Sequence, residues 1–253
     1  MLTQILWWTA NFAEVLLLAR SIQGKFVKRY PTFYFYLGSV LIVSLLRFAV
    51  FTFRPSSYPA FYWYTQYFAA TVGYAVILEI YSQIFKKYRG AVRIANGLLL
   101  CILAAVILNI VASAVSGSAW PPGETMAALE RDMRALQSVL LFVIIALLAY
   151  YKVPIGRNLI GIVVGYSFYV ATSVMSLGFG SLPGFGSRPG WRSVLPMAYL
   201  ATLSIWCFTL WSYHANPEPG PESKIERDYR FLSEQTSRIL SRARSLLKMG
   251  GEL

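Results

Sequence analysis

The chain has 253 residues, 57% apolar and 13% charged, with a mean hydropathy of +0.52. Soluble domains carry about 25% charged residues, so this composition excludes a soluble globular enzyme, a disordered chain and a collagen-like fibre. It leaves an integral membrane protein, and the net charge of +12 then reads as basic loops at a lipid surface.

Seven stretches are long and apolar enough to cross a bilayer, which takes roughly 20 residues. They cover approximately 4–19, 32–53, 61–85, 94–115, 126–151, 158–180 and 193–214. The first, within MLTQILWWTANFAEVLLLAR, carries its basic residue after the apolar run and has no small-residue cleavage site. It therefore reads as a retained helix, not a signal peptide. The fifth begins amphipathically after Pro121-Pro122, a suitable helix start. At about 28 residues it would reach about 42 Å, so its first turns are expected to project beyond the bilayer. Cys101 and Cys207 both sit in apolar runs, where they read as small core residues and not as a disulfide framework.

The connections alternate in charge. Arg20, Lys25, Lys28 and Arg29 fill the first, Lys86, Lys87, Arg89 and Arg93 the third, and Lys152 and Arg157 the fifth. The second, fourth and sixth hold only Arg54, Arg188 and Arg192, opposed by Glu124. Ten basic residues against three predict an amino terminus outside and a carboxyl tail in the cytoplasm of a multi-pass cell-membrane protein. The basic residues alternate with helix exits, so the excess points to the anionic inner leaflet and not to nucleic acid. The compact loops incline towards a bacterial inner membrane.

The outer connections have their own chemistry. Tyr58, Tyr62, Trp63, Tyr64 and Tyr67, with Phe61 and Phe68, crowd the entry to the third stretch. They read either as an interfacial aromatic belt or as a cage for an apolar or cationic ligand. Residues 178–189 repeat GFGSLP as GFGSRP. Pro183 and Pro189 stand where G-x-G-x-x-G requires its last glycine, so the repeat reads as a turn-rich cap on the bundle.

Past His214 the composition changes, dividing the chain into a transmembrane part, 1–214, and a cytoplasmic part, 215–253. A proline-rich spacer leads to Ser223 and Glu226, a capping box. The helix this opens has Ile225, Leu232, Ile239 and Leu246 at seven-residue spacing. That is a short heptad seam over 223–249, suited either to lying on the inner leaflet or to docking a protein partner or second copy.

Ionisable residues at membrane depth are costly and suggest function. Glu14 lies six residues before Arg20, and Glu79 seven before Lys86. At helical rise both sit about 10 Å above one boundary, so the two carboxylates are expected at a common level. They could share a proton, bind a cation or lock the bundle. Arg47 lies in the other half, where Glu130 or Asp132 could reach it.

The single histidine, His214, cannot build a zinc or di-iron cluster, so no metal or other cofactor is expected. G-x-S-x-G, H-E-x-x-H and a phosphate-binding P-loop are missing from the sequence as well, which makes the expected function non-enzymatic. The seven-helix topology resembles that of microbial rhodopsins, but 193–214 contains no lysine to hold a retinal. It is also similar to sugar transporters built as three helices, a linker helix and three more. A third likeness is to the seven-helix input modules of bacterial receptors, which feed a cytoplasmic coiled coil. All three are likenesses of architecture.

The sequence thus predicts an all-α polytopic bundle of seven transmembrane helices with a cytoplasmic amphipathic C-terminal helix. The expected function is that of a sensor-like or accessory membrane subunit. The alternative is a small proton- or ion-coupled transporter using Glu14 and Glu79.

Overall fold

The protein is described by a computed structural model covering residues 2–86, 104, 124–180, 190–214, 216–217, 231 and 234–235. Its elements are α1 (Leu2–Gln23), a 3-10 turn Phe26–Lys28, α2 (Pro31–Phe53), a second 3-10 turn Pro55–Ser57, α3 (Tyr58–Phe85), α4 (Glu124–Tyr151), α5 (Arg157–Gly180) and α6 (Trp191–Leu210). All six α-helices are long and apolar enough to cross a membrane. The predicted stretch 94–115, the 181–189 part of the glycine-proline repeat and the tail seam residues Ile225, Leu232, Ile239 and Leu246 lie outside the described residues.

Sequence sets the helix ends. Proline occupies the first turn of α2 and of α3, where its missing N–H costs nothing and its fixed φ suits the helix. Lys25 and Lys152 adopt left-handed backbone just after α1 and α4. Beyond Lys152, the Val153 N–H reaches back to the Leu148 carbonyl, the closing bond of a Schellman-type end.

Two ends are satisfied by side chains from neighbouring helices. The Glu79 carboxylate of α3 accepts the Thr32 and Phe33 N–H groups at 3.2 and 2.7 Å, covering the exposed donors at the start of α2. The Asn158 side chain of α5 donates to the Thr209 and Ser212 carbonyls, both at 2.8 Å. It also accepts the His214 N–H at 2.6 Å. That capture closes α6 at Leu210, four residues before the sequence boundary at 214.

The helices form a closed ring in chain order, each packed on the next and α6 packed on α1. Contacts fix their directions. Phe33 pairs with Glu79, Arg47 with Gln66, and Phe51 with Tyr58, so α2 and α3 are antiparallel. Asn158 meets Thr209 and Phe179 meets Trp191, so α5 and α6 are antiparallel too. Glu14 meets Tyr199 and Arg20 meets Trp211, which makes α1 and α6 parallel. Short turns reverse α1 into α2 and α4 into α5.

It follows that α4 runs parallel to α6, hence to α1 and α3. The direct contacts agree: Gln66 bonds Glu130, and further along both helices Gln137 bonds the Ala70 carbonyl. Phe85 and Glu124 therefore lie at opposite ends of the ring. The same directions bring Arg20, Lys25, Lys28, Arg29, Lys86, Lys152 and Arg157 to one end.

The surface is apolar. Phe12, Phe35, Phe51, Phe142 and Phe208 all point outwards and are well exposed, as lipid-facing side chains are, while many of the polar groups are inside. Close packing between helices depends on glycine, as Gly165 and Gly73 show. A Cβ on Gly165 would strike the indole of Trp206, and one on Gly73 the hydroxyl of Tyr166 and, at 2.8 Å, the Gln137 amide. Small residues that let helix backbones approach are a general device of membrane bundles.

Candidate functional site

The site is the interior of the ring, where polar side chains from six helices form one connected chain. It begins on α2. The Arg47 guanidinium donates to the Thr65 hydroxyl at 2.8 Å, to the Gln66 amide oxygen at 2.9 Å and to the Tyr62 carbonyl at 3.2 Å. It also lies 4.5 Å from the centre of the Tyr62 ring. Gln66, on α3, accepts from Arg47 and donates to the Glu130 carboxylate on α4.

One helical turn along α4, Arg134 stands 3.8 Å from Glu130. The two residues are 2% and 4% exposed, respectively. Arg134 also reaches the Gln137 amide oxygen at 3.5 Å, and Gln137 donates to the Ala70 carbonyl at 2.8 Å. The Arg134 guanidinium lies 5.4 Å from the Tyr169 ring of α5. Tyr169 packs edge-on to Tyr199 of α6 at 5.3 Å, and the Tyr199 hydroxyl donates to Glu14 of α1.

Arg47, Glu130, Arg134 and Glu14 thus alternate in charge type along a path that touches every described transmembrane helix. Tyr36 and Tyr166, packed edge-on at 5.6 Å, close the middle of the path. Tyr74 seals it beside α4 by donating to the Met133 carbonyl at 2.8 Å. Alternating charges and aromatic faces stabilise one another in a medium of low dielectric.

The path is not fully satisfied. One oxygen of Glu14, the Nε of Arg134 and the hydroxyl of Tyr166 are buried and form no hydrogen bond. Such groups cost free energy unless water or a ligand reaches them. Among the described residues, no group of three His, Cys, Asp or Glu side chains could hold a metal ion.

Several residues singled out in the sequence have different surroundings from those expected. Glu14 and Glu79 do not form a pair: Glu14 is bonded to Tyr199 within the ring, whereas Glu79 caps α2. Each carboxylate is taken by a different neighbour, Tyr199 for Glu14 and the α2 amides for Glu79. Arg47 does reach Glu130, but through Gln66. Asp132 is exposed and, among the described residues, faces its neighbour Arg131 at 3.4 Å.

The aromatic group divides. Tyr58 bridges Phe51 and Tyr62, and Tyr62 faces Arg47. Trp63 stacks on Tyr67 at 6.2 Å, while Tyr64 points away, 67% exposed. The first turns of α4 turn their charged pair inward. Arg134, Gln66, Gln137, Tyr169 and Tyr199 were passed over in the sequence. The spacing Glu130, Arg134, Gln137 on one helical face was the available signal.

No family model, curated protein or solved structure matches the chain.

Proposed function

We propose that the protein is a non-enzymatic, sensor-like or accessory membrane subunit whose helix arrangement is held by the interior network and read by a partner or second copy through the 223–249 tail. The observation that carries this reading is the continuity of the network. Every described transmembrane helix contributes a link, so displacing one helix breaks a buried polar contact with its neighbours. Such an interior is suited to holding one arrangement, or to switching between two, because partly broken buried polar networks are costly. The interior core is filled with large side chains, among them Trp206, Arg134, Tyr36 and Tyr166.

Within this reading the bundle has seven spans, the seventh being 94–115. The parallel relation of α3 and α4 supports it, since one further pass would bring the chain back. The basic end faces the cytoplasm, by the positive-inside tendency, with the amino terminus outside. The membrane is a bacterial inner membrane.

The test is gentle extraction of the full chain from native membranes, with particle mass and co-purifying proteins read by mass spectrometry. A stoichiometric assembly that is lost on combining Leu232→Lys with Ile239→Lys, while the bundle stays folded, is expected. An unchanged particle mass in that double variant refutes docking through the tail.

A second reading, proton- or ion-coupled transport, is favoured by the unpartnered oxygen of Glu14 beside the half-buried Tyr199. It expects Glu14→Gln to change the pH dependence of solute uptake into vesicles. The capping role of Glu79 accounts for that residue without transport.

A further inference from the structure

Where α1 meets α6, the outer surface of the ring is indented by a groove of about 640 Å³, within the range of ligand-binding clefts. Its walls are small or apolar: Thr9 and Ala13 from α1, and Leu200, Ser204 and Cys207 from α6. It ends at Phe208, Trp211, Ser212 and the guanidinium of Arg157. We propose that this groove binds one anionic phospholipid, an acyl chain lying between α1 and α6 and the phosphate against Arg157.

Length, charge and setting select that occupant. Along α6 the groove runs from Leu200 to Phe208, eight residues or about 12 Å at helical rise, and it continues past the helix end to Trp211 and Ser212. Half of a hydrocarbon core about 30 Å thick is about 15 Å, so the groove is one leaflet deep and open to lipid on its outer side. Its polar end coincides with the basic end of the bundle. Arg157 is exposed there, 4.6 Å from the Phe208 ring centre. Arg20 donates to the carbonyl of Trp211, a groove residue, at 3.0 Å.

Among the described residues towards this end, Glu79 is engaged by the α2 amides and Glu14 by the Tyr199 hydroxyl, so the cations dominate the local field. Trp211, half-exposed, has the amphipathic ring usual at headgroup depth. A phosphate at Arg157 would sit over the groove mouth with the Ser212 side chain beside it, and its chain would extend over Ser204 towards Thr9. A general attraction of basic loops to lipid would not require the groove. A seated lipid requires both groove and charge, and this separates the two.

The experiment uses the full chain in nanodiscs of mixed dioleoyl phosphatidylglycerol and dioleoyl phosphatidylcholine, with retained lipids counted by native mass spectrometry. The first retained lipid should be phosphatidylglycerol, with about tenfold preference, on the scale expected for one or two nearby cations. Arg157→Gln should remove most of the preference, and Arg157→Lys should keep it. Ser204→Phe, which fills the groove, should abolish retention of that lipid with Arg157 intact.

Equal retention of the two lipids overturns the proposal, as does a preference unchanged by Arg157→Gln. A dimer that dissociates on Ser204→Phe also overturns it, since the groove would then belong to a second copy. Arg157 is exposed, so its variants carry the test even if the phenylalanine variant fails to fold. None of these readouts depends on whether the protein is a subunit or a transporter.

Discussion

Replacing Arg134 by methionine probes the network at its most buried charge. The change removes a guanidinium and leaves the Glu130 side chain, 5% exposed, with the Gln66 amide as its remaining described partner. Breaking a buried ion pair from one side costs about 3–5 kcal/mol. Losing the contact with the Tyr169 ring at 5.4 Å adds about 1 kcal/mol. A loss of about 4–6 kcal/mol is roughly a thousandfold to twenty-thousandfold in the folding equilibrium. Combining Arg134→Met with Glu130→Gln removes the stranded charge while keeping an acceptor for Gln66. The double variant should therefore lie within about 1.5 kcal/mol of the parent, as volume-conserving replacements of buried pairs do. The assay is equilibrium unfolding in mixed micelles, followed by helical circular dichroism. A single variant costing under about 1 kcal/mol, the value of a solvated pair, would refute a sealed interior. So would a double variant as unstable as the single one.

Three other outcomes are expected. In a Cys101→Ala, Cys207→Ala background, Lys86→Cys and Glu124→Cys should react with an impermeant thiol reagent from opposite sides of sealed vesicles; same-side labelling would refute the parallel pairing of α3 and α4. Glu79→Ala should cost about 0.5–2 kcal/mol, the usual range for a lost N-terminal cap, and Glu79→Gln should cost less because it keeps an acceptor; full stability of the alanine variant by the same unfolding assay would remove the capping role. Tyr30, in the turn before α2, is raised from its ordinary 10.0 to about 12, first by burial and then by the nearby Tyr213. Folding favours its neutral form, so this contribution is complete below pH 10 and is lost as the pH rises towards about 12. Tyrosinate absorbance of the parent minus that of Tyr30→Phe should show the late titration, and a midpoint at the ordinary value would contradict the burial.

The spans were readable because lipid-facing helices are continuous apolar runs bounded by proline and arginine. The expected 32–53 became Pro31–Phe53, and 158–180 became Arg157–Gly180. The inward faces were harder to read, for a physical reason. In a membrane bundle the exterior is as apolar as the core, so hydropathy cannot distinguish Phe142, which faces out, from Leu141, which is buried. Only polar residues mark the inside. In α4 they do so as Glu130, Arg134 and Gln137, a spacing that looks like an exposed amphipathic end unless Gln66 is known to stand opposite. The roles of Glu79 and Asn158 were out of reach because each satisfies backbone groups on another helix, more than 45 residues away along the chain.

Ring closure has a consequence for biosynthesis. Glu14 and its partner Tyr199 are 185 residues apart. At translation rates of about 5–20 residues per second, the second is made roughly 10–40 s after the first. Throughout that interval the first helix carries a carboxylate whose permanent hydrogen-bond donor does not yet exist. The nascent protein must keep Glu14 hydrated, protonated or sheltered within the insertion machinery until α6 arrives. Chains stopped before Tyr199 would leave it stranded in lipid, a mark by which membrane quality control could recognise an unfinished molecule.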